Sequence, residues 1–305
     1  MGTERRKNIL AQAQQAIVQQ LKLNPQSLVV IVGPTASGKT QLALDLAQYF
    51  PLEIVSADSR LVYREMDIGT AKPSQSEQGI VPHHLIDLVA PDENFTLADY
   101  QAKAYLAIDE IFAYHKLPIL VGGTMLYIDT VVYNYELPQH NERSGPFVRD
   151  WPLEKLQATL KDLNSTAENK LDWKNPVRLT RALEFYYATG EWIWEKQRKG
   201  KRKYSYVLLG IDINRDVLKQ RIFARVKQQI SSGLIDEVET LVKKYPNAQV
   251  AMTGIGYRQV LKYLQGKNTL EEMQNQIITD TLAYAKRQMT WWRRNQEIIW
   301  LPVAD

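Results

Sequence analysis

The sequence of 305 residues contains no cysteine. Disulfides and thiolate zinc sites are thereby excluded, and a reducing cytoplasm is the expected compartment. No apolar run is long enough to cross a bilayer, so no membrane association is expected. The first 21 residues, MGTERRKNILAQAQQAIVQQL, are polar and Gln-rich. They lack the apolar core and small-residue cleavage site of a secretory leader, and residues 1–25 read as a frayed or helical N-terminal extension. Histidine is scarce, and the pair His83 and His84 is adjacent. In an extended segment the two rings point to opposite faces, a poor geometry for joint metal ligation, so a structural role is expected. Internal repeats and low-complexity tracts are also missing. A strong charge of one sign is absent as well, because the net charge is +4. Lys and Arg nevertheless gather at EKQRKGKRK (195–203) and KRQMTWWRR (286–294). Such clusters suit either a polyanionic partner or ordinary solvated surface.

What is present is an alternation of apolar strands and amphipathic helices. Residues 27–32 (SLVVIV), 52–58 (LEIVSAD), 117–123 (LPILVGG) and 206–213 (YVLLGIDI) read as buried strands. A helix is expected over 41–50, with Leu42, Leu46 and Phe50 on one face. Another begins at Thr96, with Asp99 in capping position. Leu218, Ile222, Val226 and Ile230 form one stripe, with Gly233 as the cap after it. Thr269 and Glu272 form a capping box that opens a last long helix, whose apolar stripe is Ile278, Leu282, Ala285, Met289 and Trp292. Strands alternating with helices imply an α/β fold with a parallel sheet covered on both faces. Between 138 and 203 strand signals give way to helical patterns, which reads as a helical insertion into a core formed by 26–137 and 204–305.

The chemistry starts at GPTASGKT, residues 33–40. Gly33, Pro34, Thr35, Ala36, Ser37, Gly38, Lys39 and Thr40 fit the P-loop pattern, with a strand before and a helix after. The two glycines let the backbone curl around an anion, and the N–H groups at the helix start point at it. Lys39 adds a full charge, and the Thr40 hydroxyl suits a Mg²⁺ ligand position. A P-loop fixes a phosphate chain, not a reaction. The third strand ends in glycines where an ATPase would carry a metal-positioning Asp. Asp58, at the end of the second strand, could cap a turn, hold metal through water or act as a base.

Six further blocks follow in order: SADSRLVYREMDIGTAKP (56–73), HHLIDLV (83–89), LVGGTMLY (120–127), RALEFYYATG (181–190), GIGYRQ (254–259) and AKRQMTWWR (285–293). With the P-loop they resemble the tRNA dimethylallyltransferase family over about residues 28–295. The resemblance implies a P-loop NTPase-like core with a helical insertion contacting tRNA. It implies transfer of a dimethylallyl group from its diphosphate to the N6 amine of the adenine 3′ of the anticodon, in tRNAs reading U-initial codons, assisted by Mg²⁺. It implies that residues 33–40 hold the diphosphate together with Arg225, that Thr40 serves the metal, and that Lys39, Asp58 and Thr124 are catalytic, Asp58 as the base. Asp58, Ser59, Arg60, Leu61 and Thr124 would line the flipped nucleotide. Further contacts with the tRNA anticodon stem-loop would come from Arg149 (or Arg143), Val177, Arg178, Leu179, Thr180, Arg181, Tyr257, Arg258, Lys286, Arg287, Gln288 and Arg293. No obligate protein partner is indicated. The absence of cysteine excludes the C-terminal zinc finger of eukaryotic relatives. Three other readings stay open from the residues: prenylation of free AMP, ADP or ATP, a P-loop small-molecule kinase, and a nucleic-acid-binding NTPase without transfer chemistry. The insertion and the basic last helix argue against the mononucleotide reading, since a mononucleotide needs neither.

Overall fold

The structure is a computed structural model that describes residues 3–137, 148–196 and 198–303. Its strands are β1 (Ser27–Val32), β2 (Leu52–Ala57), β3 (His83–His84), β4 (Leu117–Gly122), β5 (Tyr135–Glu136), β6 (Arg198–Lys199), β7 (Ser205–Ile213) and β8 (Ile298–Val303). Six form one sheet in the order β3-β2-β4-β1-β7-β8. Every neighbouring pair in it is parallel. β1, β2 and β4 are buried along their whole length. That burial explains their continuous apolar, β-branched sequences. Because the sheet is parallel, the chain leaves β1, β2 and β4 on the same side, which gathers residues 33–40, Asp58 and the Gly123–Thr124 step.

Two compact units are present, Met1–Val132 with Arg202–Asp305, and Tyr133–Lys201. The first holds the sheet. Its N-terminal segment is the helix Thr3–Leu23, which buries Ile9, Ala13, Ala16 and Ile17. Capping boxes are formed at Thr96 with Asp99 and at Thr269 with Glu272. The second unit packs the helices Leu153–Leu163 and Pro176–Thr189 around Leu156, Leu160, Leu179, Leu183 and Trp192. Its ends are joined by a short antiparallel ladder between β5 and β6. None of the helices in the described residues is long and apolar enough to cross a membrane.

Three local expectations are corrected. The phosphate-loop helix is Lys39–Leu46, so Phe50 lies past its end. The last helix, Leu270–Trp292, buries Met273, Ile277, Ala285, Gln288 and Trp292. Ile278, Leu282 and Met289 are only half-buried. The stripe thus runs along a neighbouring line, because a polar residue, Gln288, takes a core position. Ile230 is half-buried too, at the end of its helix. His84 has a structural role as expected: Nε2 meets the Glu53 carboxylate at 2.5 Å, and Lys116 Nζ meets the same group at 2.6 Å.

Candidate active site

The phosphate loop is a tight turn ending in Gly38 at φ 99°, a left-handed conformation that suits glycine. Ala36, at φ 61°, takes a similar conformation with a side chain. Gly38 occupies the N-cap of Lys39–Leu46, and no side chain caps that helix start. Its first N–H groups are therefore free to meet an anion. Ser37 Oγ is fully buried and has no hydrogen-bond partner. The Lys39 ammonium donates to the carbonyls of Gly33 at 3.0 Å and Pro34 at 2.8 Å. Burial pushes its pKa down to about 8, with the Asp58 carboxylate opposing the shift and the Arg225 guanidinium adding to it.

Two further cations arrive from the helix Arg215–Ser231. Arg221 Nη1 donates to the Ser37 carbonyl at 3.0 Å, and Arg225 Nη2 donates to the Thr70 carbonyl at 3.2 Å. Burial lowers the pKa of both, and Asp58 counteracts this at Arg225. Arg221 lies one turn before Arg225 on the same helix face, and that four-residue spacing is the sequence signal that points to it. Lys39 and Arg221 thus sit on the loop itself, and Arg225 lies near enough to act on the Lys39 charge, an arrangement that stabilises negative charge.

Asp58 follows β2, and its Oδ1 accepts the Arg60 N–H at 2.9 Å, fixing the turn. Thr124, after β4, accepts the Ser59 N–H on its hydroxyl at 3.0 Å. The preceding Gly122 must be glycine, because a Cβ would lie 2.1 Å from the Ala57 carbonyl oxygen on β2. Beneath these residues Tyr100 and Tyr127 stack at 3.7 Å, and the Tyr100 hydroxyl donates to the Ser56 carbonyl. Tyr284 donates to the Gly123 carbonyl at 3.1 Å. Burial pushes its hydroxyl up to about 12, and Asp58 contributes in the same direction.

Arg60 and Tyr257 take roles that sequence reasoning missed. Arg60 donates to the Val250 carbonyl at 2.8 Å and to Thr253 Oγ1 at 3.0 Å, tying its turn to the block 250–258. Tyr257 is expected above to touch RNA, yet it is 1% exposed and its hydroxyl donates to Glu237 at 2.7 Å. An enclosed ring presents no surface to a nucleic acid, so it is corrected to a structural residue. Glu237 also accepts the N–H groups of Asp67, Ile68 and Gly69. Gln288 and Leu179 are corrected in the same way. Both are buried, Gln288 between Thr35 and Gly123 and Leu179 in the core of the second unit. Lys286, Arg287, Arg258 and Arg293 are exposed. Of these, Arg258 pairs with Asp280 at 2.5 Å and Arg293 with Asp212 at 3.5 Å. In the second unit Val177, Arg178 and Arg181 are exposed on the helix Pro176–Thr189, and Thr180 is half-buried. Arg149 pairs with Glu184 at 2.6 Å. Arg143 lies outside the described residues. In the basic run 195–203, Arg202 pairs with Glu297 and Lys203 with Asp109.

The IPP transferase family model matches residues 61–295. The tRNA dimethylallyltransferase of Roseiflexus castenholzii is 44% identical over 284 residues, covering 90% of this chain and 92% of its own. That of Acetivibrio thermocellus is 40% identical over 292 residues, covering 90% and 91%. This chain belongs to the IPP transferase family. The fold agrees with solved IPP transferase structures. The full-length tRNA isopentenylpyrophosphate transferase from Bacillus halodurans gives a TM-score of 0.70 at 37% identity, over 92% of this chain and 91% of that one. A eukaryotic dimethylallyltransferase acting on tRNA gives 0.78 at 26% identity, over 92% and 74%.

Proposed function

We propose that this enzyme transfers a dimethylallyl group from dimethylallyl diphosphate to the exocyclic N6 amine of an adenine in tRNA. The acceptor is the adenine 3′ of the anticodon in tRNAs reading U-initial codons, and diphosphate is released. The observation that carries this reading is the meeting of a tricationic anion cradle (Lys39, Arg221, Arg225) with one carboxylate, Asp58, acting on two of those cations.

The bond that breaks is the donor's C1–O bond, which is weak because the allylic cation is delocalised. No P–O bond is cleaved. The cradle's N–H groups and its cations stabilise charge on the leaving diphosphate. The orphaned Ser37 hydroxyl fits this, since an anion oxygen would give it a partner. The N6 amine becomes acidic as the new C–N bond forms, and Asp58 accepts its proton. Such general-base help is typically worth about 10²–10⁴-fold. The target base leaves the anticodon stack at a cost of a few kcal/mol, which contacts with the RNA must offset. Exposed Lys286, Arg287, Arg178 and Arg181 are the candidates for phosphate contacts.

Mg²⁺ fits the donor set as a partly hydrated ion. The described residues hold no group of three His, Cys, Asp or Glu able to hold a metal alone. The Thr40 hydroxyl, with diphosphate oxygens, offers the hard oxygen ligands that Mg²⁺ accepts while keeping several waters. When bound, the ion would supply further positive charge to the departing diphosphate.

The test is incubation with labelled dimethylallyl diphosphate and unmodified tRNA, followed by digestion to nucleosides. N6-prenyl adenosine is the expected product. Label on free AMP, ADP or ATP with none on tRNA would overturn the reading.

A further inference from the structure

Gln288 lies on the enclosed side of Leu270–Trp292 and is 1% exposed. Its carbonyl Oε1 accepts the Thr35 N–H of the phosphate loop at 2.9 Å, and its Nε2 donates to the Gly123 carbonyl at 2.7 Å. Those two backbone groups leave different strands, β1 and β4. One primary amide satisfies both because it carries an acceptor and a donor at one end. Ionised Glu lacks the donor, Lys and Arg lack the acceptor, and Met lacks the donor and offers only a weak acceptor. The amide orientation follows from the network, since a flip would set donor against donor and acceptor against acceptor. Gly123 is shaped for this contact, because a Cβ there would lie 2.3 Å from Nε2. Tyr284, one turn earlier, donates to the same carbonyl at 3.1 Å.

We infer that Gln288 is a positioning residue that sets the spacing between the donor cradle and the acceptor side. The inference rests on the reading of the loop as the diphosphate cradle and of the Asp58–Thr124 turn as the acceptor side. The connection runs from Thr35 through Gln288 to Gly123, then to Thr124, whose hydroxyl holds the Ser59 N–H beside Asp58. Transfer requires the donor C1 and the adenine N6 to meet in a near-attack geometry, and displacements of about 1 Å cost about 10²-fold. A brace between the two sides fixes that separation.

The test uses the full chain. In the wild type the Thr35 amide exchanges slowly with deuterium. In Gln288→Met, which loses both bonds, its exchange accelerates by about tenfold or more, and inorganic diphosphate binds about tenfold more weakly. Gln288→Glu keeps an acceptor for Thr35. There Thr35 stays protected, while kcat falls because the Gly123 side is released and the new carboxylate repels diphosphate. Affinity for tRNA is unchanged in both variants. Rapid Thr35 exchange in the wild type, equal exchange in all three proteins, or loss of tRNA affinity with diphosphate affinity intact would each overturn the inference. Exchange and diphosphate binding do not depend on prenyl transfer. A wild-type protein that makes no N6-prenyl adenosine would therefore defeat the proposed function and leave the brace separately tested.

Discussion

The hydroxyl of Thr124 accepts the backbone N–H of Ser59 at 3.0 Å, joining the chain after β4 to the turn that carries Asp58. The two residues are 65 positions apart in sequence, and the bond exists because β2 and β4 are parallel neighbours. Thr124→Ala removes the acceptor and leaves a half-buried N–H. We predict a loss of about 1 kcal/mol of stability and about tenfold in turnover, with Thr124→Ser restoring most of both. Chemical denaturation and steady-state kinetics check this; equal behaviour of the Ala and Ser variants would contradict it.

Asp58→Asn keeps the size of the side chain and an oxygen for the Arg60 N–H while removing the base. Turnover should fall by about 10²–10⁴-fold with tRNA affinity retained. Single-turnover kinetics with filter binding separate the two. Unchanged turnover would remove Asp58 from the base role.

Lys39 sets a pH dependence of known sign. Its folded pKa is about 8, against an ordinary 10.5. Between these values the unfolded chain holds a proton that the folded protein has given up, so this group makes stability rise with pH across that window. Diphosphate binding favours the charged form, so affinity should fall as pH rises past about 8, with proton uptake on binding near that pH. Calorimetry in buffers of different ionisation enthalpy measures the uptake. Lys39→Met should abolish the uptake and raise thermal stability at neutral pH while weakening diphosphate binding.

The basic face of Leu270–Trp292 makes a graded prediction. Lys286→Ala and Arg287→Ala should each shallow the dependence of log K for tRNA on log salt by about 0.7–0.9. Arg293→Ala should do less, because Arg293 already faces Asp212 at 3.5 Å. Salt titrations of tRNA binding give the slopes directly, and three slopes equal to that of the wild type would exclude phosphate contacts on this face.

Glu237 receives four donors, three of them backbone N–H groups of residues 67–69. Glu237→Ala leaves them without that acceptor and should cost roughly 2–4 kcal/mol of stability. Tyr257→Phe removes one bond and should cost about 1 kcal/mol. Because Arg225 holds the Thr70 carbonyl at the end of the same loop, Glu237→Ala should also weaken donor binding. Denaturation curves and the donor KM test both parts.

The main sheet strands β1, β2, β4 and β7 were readable because each is a continuous apolar run bounded by glycine, proline or polar residues. The capping boxes at Thr96 and Thr269 were readable because they are local patterns that open long amphipathic helices. β3 was not, since two residues carry no periodicity. β8 was missed because Ile299 is exposed and Pro302 interrupts its pattern, which an edge strand tolerates. The phosphate loop is legible as a motif. The bonds of Gln288, Glu237 and Arg60 are not, since each joins a side chain to groups far away in sequence. The family resemblance placed Gln288 among the tRNA contacts, and only the fold reveals that a core position there demands both a donor and an acceptor.

The seven tryptophans are divided between the two compact units: Trp151, Trp173, Trp192 and Trp194 in one, Trp291, Trp292 and Trp300 in the other. Trp192 and Trp194 lie face to face, 4.7 Å apart with 9° between their planes, and Tyr186 continues the stack at 4.2 Å. Electronically coupled indoles give this unit its own near-ultraviolet signature, which disappears when fixed packing is lost. Melting of the helical unit can therefore be followed optically in the unlabelled protein, apart from the first unit, whose most enclosed indole is Trp292.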